Sequence, residues 1–233
     1  MSSSISDDCK WRRNGGEKGR ESMPKKKKGY VEIVSVVDRS GSMSPLTTDV
    51  IGGFNQFLKD QQEFDGDANM TLAMFNHEYE VILDGVPIQD VKPLTTKTYK
   101  AGGMTALIDA VGRTIDAVLM RTDKAKTKPD KIIVGIITDG LENSSTEYTT
   151  PQLKKMIETL EAGNWEFHYM GADPEGFADA MSWGIQSINM TAWDHTSVGT
   201  QAVYASYSNT VASSRGETTD EVVGSGTRTG DPN

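Results

Sequence analysis

The chain of 233 residues has few of the residues that build disulfides or nitrogen- and sulfur-based metal sites. Its one cysteine, Cys9, excludes an internal disulfide and a cysteine-based metal cluster. Its three histidines, His77, His168 and His195, lie outside any metal- or nucleophile-pairing motif, so we expect structural or surface roles for them. The chain has no apolar run of about 18 residues, and residues 1–29 lack the apolar segment of a secretory signal. These absences predict a soluble, cytoplasmic protein.

Acidic residues outnumber basic ones, 33 to 24, but the resulting charge of −9 is unevenly distributed. Residues 1–29 carry nine basic and four acidic side chains, or +5, which leaves −14 for the rest of the chain. An acidic body argues against nucleic acid as a partner of the domain itself. We expect a basic, disordered leader at 1–29, one domain at 30–214 and a flexible tail at 215–233, where apolar residues are scarce.

Between the two tails, patterns typical of strands and helices alternate. Such alternation predicts an α/β fold, doubly wound, with a mostly parallel central sheet and helices on both faces. Two strands that flank Asn76, His77 and Glu78 form a predicted hairpin, which supplies one antiparallel edge strand. The predicted strands are 31–37, 70–75, 79–83, 131–137, 167–170 and a short edge strand at 187–190. The predicted helices lie around 46–58 and 107–119, start at 150 and 174, and end with one at 194–213.

Oxygen-bearing side chains follow three of these segments. Asp38, Ser40 and Ser42 come directly after the first strand, Thr105 precedes a helix, and Asp139 follows the strand at 131–137. In an open α/β sheet, functional groups gather beyond the carboxyl ends of the strands, so we expect both carboxylates at the same edge. Hydroxyl and carboxylate oxygens without sulfur or imidazole suit a hard cation such as Mg²⁺, with Mn²⁺ or Ca²⁺ as alternatives.

The pattern Asp-x-Ser-x-Ser, then Gly-Gly-x-Thr, then Thr-Asp-Gly resembles the metal-ion-dependent adhesion site (MIDAS) of the von Willebrand factor type A family. The resemblance covers about residues 30 to 214, and all five ligand positions match. It implies a Rossmann-like fold in which Ser40, Ser42 and Thr105 contact the ion, while Asp38 and Asp139 act largely through water. It also implies that the ion accepts an Asp or Glu of a protein partner. In size the chain looks like stand-alone type A domains of bacteria and their viruses.

Four further polar residues lie near the predicted site. Glu142, Asn143 and Ser144 follow Asp139, where they either shape the choice of partner or act as ordinary loop residues. Asp109, on the second helix, is expected to be solvated or to cap the helix, with an outer-shell role at the metal as the alternative.

Three functions remain open at this point. The favoured one is a Mg²⁺-dependent protein-binding module that serves in adhesion or as a scaffold. The second is a structural component of a larger assembly such as a virion, with a metal that stiffens loops. The third and least favoured is a metal-dependent phosphoesterase, because the chain lacks a Gly-x-Ser-x-Gly elbow, a P-loop and a base on the presumed rim. We therefore predict no catalytic residues. The partner and the oligomeric state do not follow from the sequence.

Overall fold

The computed structural model describes residues 30–64 and 66–216. The predicted basic leader at 1–29 and the tail from residue 217 onward lie outside the described residues. The predicted tail began at Arg215, but Arg215 is 5% exposed and donates hydrogen bonds to the backbone oxygens of Gln61, Phe64 and Gly66. Arg215 therefore belongs to the folded domain.

A six-stranded sheet forms the centre of the domain, in the order β3-β2-β1-β4-β5-β6. The pairs β1–β2, β1–β4, β4–β5 and β5–β6 are parallel, and β2–β3 is antiparallel. This confirms the predicted fold class, including the hairpin and its single antiparallel edge strand. The strands are β1 Val31–Asp38, β2 Ala68–Phe75, β3 Tyr79–Pro87, β4 Lys131–Thr138, β5 Trp165–Gly171 and β6 Met190–Ala192.

Helices cover both faces of the sheet because the central strands are apolar on both sides. Alternate residues of β1 point to opposite faces: Ile33 packs with the first and last helices, and Val34 packs with the other helices. Stacked rings of Phe57 and Tyr207, 4.8 Å apart, join the first and last helices. The helices are α1 Thr47–Glu63, α2 Leu107–Lys124, α3 Thr150–Glu161, α4 Pro174–Ser182 and α5 Ser197–Ser214. None of these helices has the length and apolar character that a membrane crossing requires.

The predicted elements differ from the structure mainly late in the chain. The edge strand predicted at 187–190 is a short 3₁₀ turn, Ser187–Asn189, followed by strand β6. The last helix begins at Ser197 instead of residue 194, because Thr196 caps it by accepting a hydrogen bond from the N–H of Gly199 at 3.1 Å. Three residues, 194–196, are thereby free of the helix and pass over the carboxyl edge of the sheet.

A buried ion pair lies at the opposite edge of the sheet. Glu32 has a fully buried side chain, and Arg121 of α2 donates to both of its carboxylate oxygens at 2.8 and 3.2 Å. The same guanidinium also donates to Asp84 and Thr71. The network ties α2 to strands β1, β2 and β3, and it leaves the buried carboxylate fully paired.

We predict that Arg121→Ala lowers the free energy of unfolding by about 3 kcal/mol, because it leaves the charge of Glu32 buried without a partner. Denaturant unfolding monitored by circular dichroism measures the change. Lys59→Ala is the control: Lys59 lies 4.0 Å from Glu63 in an exposed pair, so its loss should cost less than about 1 kcal/mol. A similarly small loss for Arg121→Ala would contradict the prediction.

Candidate metal centre

The parallel pairing of β1 with β4 brings the two predicted carboxylates to one edge of the sheet. Val37 is in register with Ile137, so Asp38 and Thr138 end neighbouring strands and Asp139 follows at once. The two acids are far apart in sequence and reach the same place because both strands run in the same direction.

Asp38 is completely buried and held from several sides. Its Oδ1 accepts a hydrogen bond from the N–H of Ser40 at 2.6 Å, and its Oδ2 accepts one from the hydroxyl of Thr138, also at 2.6 Å. The hydroxyl of Tyr99 donates to the backbone oxygen of Asp38 at 2.8 Å. Burial raises the pKa of Asp38 to about 6; hydrogen bonds from Thr138 and Ser40 lower it, and the charge of Asp139 raises it.

Ser40, Ser42 and Asp139 form a continuous chain of polar contacts. The hydroxyl oxygens of Ser40 and Ser42 are 3.0 Å apart, and Ser42 donates to Oδ1 of Asp139 at 2.7 Å. The side chain of Asp139 is 1% exposed, yet its Oδ2 accepts no hydrogen bond from any described residue. A buried carboxylate oxygen without a hydrogen bond is costly, so this atom is one that a cation would stabilise.

The loop before α2 carries Thr105 to the same place. Gly103 has a positive φ of 85°, and its carbonyl accepts a hydrogen bond from the N–H of Gly41 at 3.0 Å, which fixes this loop against the Ser40–Ser42 turn. A further hydrogen bond runs from the N–H of Gly102 to the oxygen of Arg39 at 2.8 Å. Thr105 itself is 4% exposed.

Gly140 leaves a space among these oxygens. A Cβ atom at residue 140 would lie 3.4 Å from Thr105 Oγ1, 3.6 Å from Ser42 Oγ and 3.8 Å from Asp38 Oδ2. Oxygens from two segments, the turn 38–42 and the loop that carries Thr105, thus lie around one point, and the absence of a side chain at Gly140 keeps that point free. Ser40 and Asp139 adjoin it through their contacts with Ser42.

This donor set fits a hard divalent cation. It contains two carboxylates and three hydroxyls, and oxygen ligands of this kind are typical of Mg²⁺. The described residues hold no group of three or more His, Cys, Asp and Glu side chains able to bind a metal. The candidate centre is instead rich in hydroxyls, and the role of the five residues as ligands stays a prediction.

Two of the residues predicted on the rim, Glu142 and Asn143, make hydrogen bonds that support the loop. Glu142 accepts hydrogen bonds from the N–H groups of Ser144, Ser145 and Ile108, the last of which lies in the first turn of α2. Asn143 and Thr105 exchange two hydrogen bonds, both at 3.0 Å. Some of the polar groups that these side chains could offer a partner are therefore used in hydrogen bonds within the site.

We had expected Asp109 to be solvated or to cap its own helix, and it does neither. It is 6% exposed, and its carboxylate accepts hydrogen bonds from the N–H groups of Thr146, Glu147 and Tyr148 at 2.7 to 2.9 Å. It fixes the loop between Asp139 and α3 onto α2. All of these hydrogen bonds come from backbone N–H groups of the loop. They therefore do not support the alternative that Asp109 has an outer-shell role at the metal.

Sequence reasoning missed three residues at the site. Thr138 and Tyr99 hold Asp38, and His195 lies with its Nε2 atom 2.7 Å from Oδ2 of Asp139. The expectation that the presumed rim lacks a base was therefore wrong. Thr138 stands inside the Thr-Asp-Gly motif and was open to detection, whereas His195 is near Asp139 only because β6 and α5 bring it there.

The described structure is similar to solved structures of von Willebrand factor type A domains. It shares a TM-score of 0.60 and 12% identity with the vWF domain of the type V pili tip protein Mfa5 from Porphyromonas gingivalis, over 83% of this chain and 99% of that one. With a von Willebrand factor type A structure from Catenulispora acidiphila the TM-score is 0.51 and the identity 16%, over 78% and 42%. The chain has the von Willebrand factor type A fold.

A third similar structure was solved with a bound metal. Proximal thread matrix protein 1 from the mussel byssus, solved with a zinc-occupied MIDAS motif, has a TM-score of 0.57 and 12% identity, over 79% of this chain and 48% of that one. The chain thus spans about half the length of the mussel protein. No protein-family model matches the chain, and no curated protein matches it in sequence.

We predict that the protein without metal becomes less stable as the pH rises from about 4 to about 6. The raised pKa of Asp38 means that the folded state holds a proton that the unfolded state has already lost, so this stability is present below pH 4 and lost above pH 6. Denaturant unfolding in chelator should show a loss on the order of 2 kcal/mol relative to Asp38→Asn. Parallel pH profiles for wild type and Asp38→Asn would contradict the prediction.

Proposed function

We propose that the chain is a Mg²⁺-dependent protein-binding module that acts in adhesion or as a scaffold. The observation that supports it most is the convergence of oxygen atoms from Asp38, Ser42 and Thr105 on one point above Gly140, with Ser40 and Asp139 adjoining. The fold supports the same proposal, since similar structures include a pilus tip protein and a pilus adhesin.

The division of roles in this proposal is the one that the resemblance to the MIDAS implies. Ser40, Ser42 and Thr105 would hold the ion through neutral hydroxyls, and the buried Asp38 and Asp139 would act largely through water. When bound, the cation would supply positive charge that these hydroxyls compensate poorly, and so attract a carboxylate from outside. Ser42 is exposed while Asp38 and Ser40 are buried, so the exposed side is where an Asp or Glu of a partner would approach.

The cation in this proposal is Mg²⁺, with Mn²⁺ and Ca²⁺ as alternatives, and the partner is a protein that presents an acidic residue. A cytoplasmic location and an origin in a bacterium or phage belong to the same proposal. Several similar structures are pilus proteins, so cell fractionation is needed to test the location. Affinity capture with Mg²⁺, elution with chelator and mass spectrometry would identify the partner.

We predict that Ser42→Ala and Asp139→Ala abolish Mg²⁺-dependent capture of that partner while the fold survives. Each change removes a donor from the chain Ser40–Ser42–Asp139, and neither removes a large apolar side chain from the core. Ser44→Ala is the matched control, because Ser44 is an exposed serine of the same turn outside this chain of contacts. Capture that resists chelator, or that survives both changes, would exclude the proposal.

We also predict that Gly140→Ala weakens Mg²⁺ binding at least tenfold without loss of stability. The methyl group would make ordinary contacts with the protein, but it would occupy the space among three of the oxygens. Isothermal titration calorimetry measures the affinity. Gly52→Ala serves as the control, since a Cβ at that exposed helical position meets no atom within 4 Å. Unchanged Mg²⁺ affinity in Gly140→Ala would place the ion elsewhere.

Two other functions have some support. The similarity to a thread matrix protein favours a structural component whose metal stiffens loops, and copurification in a large particle with the site covered would support that reading. The contact of His195 with Asp139 gives a metal-dependent phosphoesterase one group that the sequence had not revealed. Metal-stimulated turnover of a generic phosphoester, lost in Asp38→Asn, would favour the enzyme.

A further inference from the structure

His195 approaches the candidate metal centre from the segment between β6 and α5. Its Nε2 atom is 2.7 Å from Oδ2 of Asp139, the buried oxygen that accepts no hydrogen bond from a described residue. The imidazole side chain is 40% exposed, so it lies at the boundary between the buried carboxylates and solvent.

The imidazole is held in this place by its neighbours. Its ring stacks on Trp193 with centroids 6.2 Å apart and planes at 24°. Trp193 is buried and donates its indole N–H to the oxygen of Met170 at 3.2 Å. On the other side, a Cβ at Gly199 would come within 1.9 Å of the oxygen of Asp194, so the start of α5 folds tightly against the residue before His195. The position of His195 is therefore set by packing on both sides.

Nε2 and Oδ2 are 2.7 Å apart, yet Oδ2 accepts no hydrogen bond from a described residue. Two donors in adjacent positions around a cation, each about 2.1 Å from it, lie about 3 Å apart. A cation in contact with both atoms would therefore fit this separation and would stabilise the buried oxygen.

We propose that His195 is a nitrogen ligand of this centre, and that it raises the affinity of the site for a borderline divalent cation such as Zn²⁺ while leaving its affinity for Mg²⁺ nearly unchanged. Imidazole suits Zn²⁺, Ni²⁺ and Cu²⁺, whereas oxygen donors alone suit Mg²⁺ and Ca²⁺. This inference rests on the metal centre of the proposed function and adds one donor and a metal preference to it. In this arrangement Oδ2 of Asp139 would bind the ion directly, where the family resemblance implies contact through water, and the hydroxyl of Ser42 lies beside Oδ1 of the same carboxylate.

The test compares Zn²⁺ and Mg²⁺ affinities of the full chain by competition with a chromophoric chelator. All variants carry Cys9→Ser, because the single thiol would otherwise bind Zn²⁺. His195→Ala and His195→Phe should lower the Zn²⁺ affinity at least about tenfold and change the Mg²⁺ affinity less than about threefold. His195→Phe keeps a ring on Trp193, so agreement between the two variants excludes loss of packing as the cause.

His77→Ala is the matched control. His77 is an exposed imidazole near the same loops, packed over Gly103, and its removal should leave both affinities unchanged. A direct readout is NMR of histidine labelled with ¹⁵N: addition of Zn²⁺ should shift the Nε2 resonance of His195, and Mg²⁺ should not.

Three results would overturn the inference: Zn²⁺ affinity retained in both His195 variants, equal losses for Zn²⁺ and Mg²⁺, or an unmoved Nε2 resonance. The second result would mean that His195 only positions Asp139. If any of the three results is found while Mg²⁺-dependent capture of the partner persists, the inference about His195 fails and the proposed function stands. If Zn²⁺ binds through His195 but neither Mg²⁺ nor a partner binds, the proposed function fails and the inference stands.

Discussion

The candidate site depends on two carboxylates that the fold forces into a buried place. Asp38 has no exposed surface and Asp139 almost none at its side chain, and both follow strands that are buried on two faces. Burial disfavours the charged form of Asp38 and raises its pKa to about 6, and the nearby charge of Asp139 adds to this effect. Hydrogen bonds from Thr138, Ser40 and Ser42 reduce this cost but leave one oxygen of Asp139 without any. A bound cation would offset the cost of the two buried carboxylates and would stabilise the oxygen of Asp139 that accepts no hydrogen bond.

Other residues of the domain support the site that contains Asp38 and Asp139. Asp109 and Glu142, which the sequence suggested as solvated or partner-binding groups, instead accept hydrogen bonds from loop and helix N–H groups. Their hydrogen bonds attach the long loop after β4 to α2. Asn143 attaches the loop that carries Thr105 to this long loop. Rigid loops matter here because a metal centre needs its donors held close to their final positions before the ion arrives.

Much of the fold was predictable because its signals are local. Apolar runs marked β1 and β4, and the polar triplet between two apolar segments marked the hairpin of β2 and β3. The same logic failed at β6 and at the start of α5, where the chain is neither strongly apolar nor periodic. There a 3₁₀ turn and the capping hydroxyl of Thr196 set the boundaries, and both depend on contacts that a short window of sequence does not contain.

By itself, the sequence determined the alternating elements, the sheet they form, and the oxygen-bearing residues of which Asp38, Ser42 and Thr105 lie around Gly140. It could do so because strand ends, glycines and hydroxyls are written in short motifs. Only the tertiary structure decided which side chains face inward at the rim, and only it placed His195 against Asp139, 56 residues apart along the chain. The physical reason is that β6 and α5 return to the carboxyl edge of β4, and packing on Trp193 turns the imidazole toward the site.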